Sequence, residues 1–316
     1  MKMKKVIFGA TMLGILAVSC GDDDSPIVDP GTGTPDVKLV DVNLSITGLD
    51  ALGADFVYEG WLIVDGKPVS TGRFTDPATK KQEVSEIILK GATAYVLSIE
   101  PANETGQDLI DPAATKLFKA DFDGDTAGIA YGTINAGFAD LVATKEAISG
   151  EFFLRTPTDE KAGTDNNGND EAGVWFGTPG TMPPASSLEL PVLAADSGWK
   201  YEGWAVVNGK PYSTGTFSDP KTADDNAAAL TFRGIENQGP PLPGEDFINN
   251  LDATGFKGGA DLRGATVVIS LEPFPDNDPK PFTLKPLVGN AGDETAPATY
   301  AFGENLKSFP TGTITR

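Results

Sequence analysis

The sequence predicts an all-β protein: two tandem β-sandwich domains behind an N-terminal leader and a flexible linker. Three observations lead there. Residues 58–77 read YEGWLIVDGKPVSTGRFTDP and residues 201–220 read YEGWAVVNGKPYSTGTFSDP, with fourteen of twenty positions matching at an offset of 143. A block repeated at fixed offset marks two copies of one folding unit. Val42, Leu44 and Ile46 alternate with Asn43, Ser45 and Thr47, the period of a strand with one buried face. Finally, 91–101 (GATAYVLSIEP) and 264–273 (GATVVISLEP) are β-branched runs that both close on Glu-Pro.

Taken in order, the chain opens on a basic pentapeptide (MKMKK) and an apolar run over 6–18, too short for an ordinary spanning helix. Small residues at 17–19 then lead into Cys20, the only cysteine. This arrangement resembles the lipobox of bacterial lipoproteins, although Ala17 stands where Leu is commoner. The resemblance implies a signal peptide over 1–19 and acylation of Cys20. The following GDDD (21–24) resembles the acidic export tag of some Gram-negative lipoproteins. It implies an outer-membrane lipoprotein exposed at the cell surface, with the periplasmic face as the alternative. Residues 25–36 (SPIVDPGTGTPD) have the makeup of an extended tether, so 20–36 is read as an acylated, flexible acidic linker.

Each repeated block reads as a hairpin. Asp65-Gly66 and Asn208-Gly209 are dipeptides suited to the two positive-φ centres of a type I′ turn. A two-residue loop sets Val64 opposite Lys67, Trp61 opposite Ser70 and Tyr58 opposite Arg73. Tyr58, Gly60, Leu62 and Val64 then share one face while Glu59, Trp61 and Ile63 share the other. Apolar groups on both faces suit a strand covered on both sides. Lys67-Pro68 and Lys210-Pro211 are turn exits, where proline suits an edge. Residues 151–155 (EFFLR) and 174–176 (VWF) read as paired strands around a polar tip. Residues 232–262 read as a surface insertion in which EDFINNLD forms a helical turn or two. The expected domains are 37–177 and 188–316, joined by a linker at 178–187.

The pattern Tyr-Glu-x-Trp-x-x-Val-x-Gly-Lys-Pro-x-Ser-x-Gly-x-Phe, followed by a strand ending in Glu-Pro, resembles the extracytoplasmic C-terminal domain of anti-sigma-K-type factors. Both copies carry it: Tyr58, Glu59, Trp61, Gly66, Lys67, Pro68 and Glu100, then Tyr201, Glu202, Trp204, Gly209, Lys210, Pro211 and Glu272. The resemblance implies a β sandwich with a sensing or interaction role. The sigma-binding cytoplasmic segment and spanning helix of such regulators have no counterpart here, so no direct sigma-factor contact is expected.

Composition narrows the chemistry. The formal charge is −21, and losing Lys2, Lys4 and Lys5 with the leader takes it to −24. Such a polyanion repels nucleic acid, and the membrane is reached through the N-terminal lipid. There is no histidine, which removes histidine-based triads and His-ligated zinc. The duplicated glutamates Glu59 with Glu100 and Glu202 with Glu272 could form a glycosidase pair, but the expected role is to satisfy strand-end N–H groups or pair with Lys67 and Lys210. No enzyme activity and no cofactor are expected. Asp121, Asp123 and Asp125 alternate like calcium ligands, as do the oxygens of 165–171, but Gly132 stands where an EF-hand needs Glu. Trp61 and Trp204 are read as core: burying a 150–250 Å² ring contributes up to about 4–6 kcal/mol. Trp175 and Trp199 occur once each and are the candidates for ligand stacking. The leading expectation is a non-enzymatic anchored binding or envelope-sensing protein whose partner is an unidentified protein or glycan. The alternative is a glycan- or calcium-binding surface protein.

Overall fold

The computed structural model describes residues 37–106, 110–130, 148–161, 167–180, 183–249, 259, 261–275 and 278–316. The leader, Cys20 and the 20–36 linker lie outside the described residues, as does Asp165. Among the described residues, no helix is long and apolar enough to cross a membrane.

The protein is all-β and antiparallel. In the first half the strands are β1 (Leu39–Thr47), β2 (Phe56–Val64), β3 (Lys67–Phe74), β4 (Lys81–Ser85), β5 (Ala92–Pro101), β6 (Lys116–Asp123) and β7 (Thr126–Ile129), with a short helix α1 (Glu86–Gly91) after β4. There follow β8 (Glu151–Leu154), β9 (Gly173–Trp175), β10 (Gly177–Thr178), β11 (Ala185–Ser186), β12 (Trp199–Val207), β13 (Lys210–Phe217) and β14 (Gly244–Asp246). The last five are β15 (Thr266–Pro273), β16 (Leu287–Asn290), β17 (Tyr300–Ala301), β18 (Gly303–Glu304) and β19 (Thr311–Thr315).

The repeated block builds the same ladder twice, β3-β2-β5-β6 and β13-β12-β15-β16. Both turns are type I′ in kind, with Asp65 at φ 50° and Gly66 at 73°, and Asn208 at 53° and Gly209 at 78°. Val64 faces Lys67 and Trp61 faces Ser70, but the register then slips, so that Glu59 meets Arg73 and Tyr58 meets Phe74. This corrects the expected Tyr58–Arg73 pair. The cause is a β-bulge at Thr71-Gly72, repeated at Thr214-Gly215. Gly72 and Gly215 sit at φ 111° and 120°, backbone that L side chains rarely adopt. Ser70 and Ser213 lock the bulges by accepting the N–H of Gly72 (3.1 Å) and Gly215 (3.0 Å).

In the first half the eight strands run β3-β2-β5-β6-β7-β19-β1-β4. The two edges meet through Gln82 of β4. Its Oε1 accepts the hydroxyls of Thr71 (2.6 Å) and Tyr95 (2.7 Å), and its Nε2 donates to the Gly72 carbonyl (2.7 Å). In the second half the β13-β12-β15-β16-β18 sheet faces a four-stranded sheet, β14-β9-β8-β17. Phe152, Phe176 and Phe302 fill the space between, with centroids 4.9 and 5.9 Å apart. The expected helical turn at EDFINNLD is absent where described, because Gly244–Asp246 pairs with β9 as a strand.

The strand pairings cross the expected boundary at 178–187. β8 pairs with β17 and β9, and Gly177–Thr178 pairs with Ala185–Ser186 as the β10–β11 ladder. The eight-stranded sheet of the first half in turn is completed by β19, inserted between β1 and β7. Val37–Arg316 thus forms one compact unit, with one continuous apolar cluster from Val42 to Ile314.

Arg316 pins the inserted strand. Its guanidinium donates to the carbonyls of Ala92 (2.6 Å), Leu89 (3.2 Å) and Gly124 (2.8 Å) and lies 4.6 Å from the Phe122 centroid. Hydrogen bonds from charged donors are worth roughly 1.5–3 kcal/mol each, without simple additivity. Arg316→Ala is expected to destabilise the protein by about 2–4 kcal/mol in urea denaturation. Amide-exchange protection should fall first in β1, β7 and β19, and an unchanged midpoint would refute the pinning role.

Candidate functional site

The duplicated glutamates are buried at the ends of central strands. Glu100 and Glu272 are 0 % and 2 % exposed, so each carboxylate needs donors within the fold. Glu100 Oε1 accepts the Ala113 N–H (2.9 Å) while Lys116 Nζ donates to the Ala113 carbonyl (3.0 Å). Glu272 Oε1 accepts the Phe282 N–H (2.8 Å) while Lys285 Nζ donates to the Phe282 carbonyl (2.6 Å). One residue of each returning loop is thus clamped from both sides. Burial pushes Lys285 below the usual lysine range, against the opposing pull of Glu272 and Asp50. Sequence reasoning missed Lys116 and Lys285. Their signal was the spacing Pro112-x-x-x-Lys116 and Pro281-x-x-x-Lys285 after each Glu-Pro strand.

The rest of the repeated pattern serves the same framework. Trp61 Nε1 donates to Ser98 Oγ (2.8 Å) and Trp204 Nε1 to Ser270 Oγ (2.7 Å). Ser70 donates to Glu59 Oε1 (2.5 Å), and Ser213 donates to Glu202. Tyr58 donates to the Asp50 carbonyl (2.7 Å) and Tyr201 to the Pro191 carbonyl (3.0 Å), tying down the segment that precedes each hairpin. Gly66 and Gly209 serve the turns, Lys67 and Lys210 are exposed, and Pro68 and Pro211 lie opposite Ile63 and Val206.

Two of the clamped loops meet across a groove of about 540 Å³. The 50–56 loop, held by Tyr58, forms one wall. The 278–283 loop, held by Glu272 and Lys285, forms the other. Phe56, Ile99 and Phe282 supply its apolar floor, and Asp50, Asp55, Asp278 and Lys280 its charged rim. A concave apolar surface with a few placed polar groups is the usual form of a binding site. This groove is the candidate functional site.

The other sequence candidates do not assemble there. Asp121 pairs with Lys119 (2.9 Å) and Asp125 with Arg316 (3.6 Å), both strongly exposed at the β6–β7 hairpin. Asp123 is exposed beside them. Among the described residues, no group of three acidic, His or Cys side chains is spaced to hold a metal. Trp175 is core: its Nε1 donates to Asp246 Oδ1 (2.7 Å). Trp199 is 2 % exposed and packs 6.3 Å from the Phe282 ring, behind the groove wall rather than open for stacking.

A second acidic cluster escaped the sequence reading entirely. Asp224, Glu245 and Asp246 are buried in the long connection between the second-copy hairpin and β15. Burial pushes Glu245 up to about 8 and Asp224 up to about 7. Asp246 is also raised by burial, although it accepts from Thr158 N and Oγ1 (2.7 and 2.5 Å) and from Trp175. These acids keep protons in the fold that the unfolded chain loses near pH 4. Their contribution to stability is therefore full below that pH and is lost as pH rises towards 8. Urea midpoints measured from pH 4.5 to 8.5 should fall with pH, and Glu245→Gln should flatten the upper part of that slope. Midpoints that rise over this range would contradict the burial of neutral acids. Comparison with known protein families, curated proteins and solved structures finds no match.

Proposed function

We propose that this chain is a membrane-anchored, non-enzymatic binding lipoprotein, tethered through acylated Cys20 at the outer membrane and displayed at the cell surface. Its paired halves resemble the outer module of anti-sigma-K-type factors, and its role is to engage a protein or glycan partner in the envelope. One observation carries this reading: the repeated residues are consumed in holding loops, and the loops so held by Tyr58 and by Glu272 with Lys285 are those that wall the groove. Glutamates engaged with backbone N–H groups, serine hydroxyls and, at Glu59, an arginine are poorly placed for turnover, which favours binding over hydrolysis. The glycan- or calcium-binding alternative gains no support from Trp175 and Trp199, which are buried, or from Asp121 and Asp125, which are ion-paired with Asp123 exposed beside them.

Two measurements test the proposal. Cys20→Ser should leave the chain in the soluble fraction after cell lysis, whereas the parent sediments with membranes. Photo-crosslinking residues placed at Phe56 and Lys280 of the lipidated chain on intact cells should give a discrete adduct, and one placed at exposed Ile235 should not. Adducts at Ile235 alone, or the same adducts at all three positions, would remove the groove as the contact surface.

A further inference from the structure

The two copies differ at one buried point. In the first, Glu59 of β2, Glu100 of β5 and Glu104 on the loop after β5 gather around Arg73 of β3. Arg73 Nε lies 3.4 Å from Glu59 Oε2 and its Nη2 3.5 Å from Glu104 Oε2, while Nη2 also donates to the Pro101 carbonyl. The Glu59 and Glu104 side chains are 4 % and 6 % exposed, and Glu100 is fully buried. One oxygen on each, Oε2, is buried without a hydrogen-bond donor. Three carboxylates and one guanidinium leave an excess of two negative charges in the cluster. That is costly inside a protein unless something neutralises it. No three of these groups are spaced for a metal ion.

Glu100 and Glu104 each bring to this cluster a buried Oε2 that no hydrogen-bond donor in the fold serves, and the nearby Glu100 raises Glu104; a proton on Glu104 directed at Glu100 gives both oxygens a partner. Glu59 is otherwise provided for, since Ser70 and Arg73 both serve it. We infer that Glu104 holds a proton and donates it in a hydrogen bond to the Glu100 carboxylate, and that this bond latches residues 102–106 onto the sheet end. Glu100 cannot leave, being bound to Ser98 and Ala113 N. Glu104 can, since it stands on a loop whose Asn103 and Thr105 are exposed. Loss of the proton makes Glu104 the group that swings out, leaving Arg73 to Glu59. Ala102 N–H donates to the Asp55 carbonyl (2.7 Å), so the latch borders a groove wall, although its existence does not depend on the binding role proposed for that groove. Burial, the Glu100 contact and the Glu100 charge together push Glu104 up to about 7, against the pull of Arg73, which sets release at the edge of the neutral range.

The test is a pH 5–9 titration of the full chain in detergent, ¹³Cδ-labelled at glutamate, with amide exchange corrected for its intrinsic rate. A glutamate signal with its midpoint near 7 is expected, absent in both Glu104→Gln and Glu100→Gln. The Glu245 signal, identified by its loss in Glu245→Gln, should persist in both. Protection at 103–105 should fall by up to roughly tenfold per pH unit above the midpoint. It should stay flat in Glu104→Gln, whose amide donates to Glu100 without a titratable proton. Arg73→Gln should move the midpoint upward. The latch is refuted if no glutamate other than Glu245 titrates above pH 6, or if exchange at 103–105 in the parent and in Glu104→Gln follows the same course.

Discussion

A carboxylate buried at the end of a central strand is the constraint on which most of this structure turns. Glu100 and Glu272 sit where water does not reach them, and an unpaired buried charge costs several kcal/mol. The fold meets that cost with a backbone N–H from the returning loop, and in the first copy with a serine hydroxyl that also accepts from a buried indole. A lysine then closes over the carbonyl of the same loop residue. Each donor is fixed by something else: the tryptophan by the core, the lysine by the next strand, the loop by both. The chemistry of one side chain thereby determines the path of a loop about ten residues away, and in the second copy that loop is a groove wall.

Local chemistry was legible in the sequence because it is local. Asp65-Gly66 and Asn208-Gly209 dictate their turns through two positive φ angles, and everything up to Trp61 opposite Ser70 follows from a two-residue loop. The register beyond that point depended on Gly72 in a Ser-Thr-Gly triplet. Present in both copies, that triplet carried the bulge signal, but a bulge is invisible to a count of alternating positions. The division of the chain was not legible for a different reason. β19 pairs with β1 across more than 260 residues, and β8 finds its aromatic partners at Tyr300 and Phe302. Periodicity says that a strand exists; it does not say which edge receives it.

The site shows the same split. That Glu59, Glu100, Glu202 and Glu272 matter to the fold could be argued from duplication, since copies of a scaffold repeat its scaffold residues. The partners were harder to see, because Lys116 and Lys285 lie outside the blocks that align at constant offset. Asp224, Glu245 and Asp246 belong to the connection after the second hairpin, which is longer than its counterpart in the first copy, and nothing in an acidic chain marks three acids as buried. Trp175 looked free because it occurs once. It is held instead by Asp246, a residue whose burial only the pairing of β14 with β9 makes apparent.

Duplication also explains why the two copies diverge where they do. The clamp and the indole–serine contact are common to both, so their residues are fixed in both. Positions beside the clamp carry no such requirement. Arg73 of the first copy becomes Thr216 in the second, and there Lys200 of β12 bonds Asp225, which also accepts from Thr216 (2.6 Å). The first copy thus places its cation on the edge strand β3, facing three glutamates, while the second places it on β12, facing one aspartate. The same scaffold then holds an excess of negative charge in one half and a near-balanced pair in the other. At this position beside the clamp only the first copy gathers three carboxyls on one cation, so a protonated Glu104 arises there without disturbing the clamp that both share.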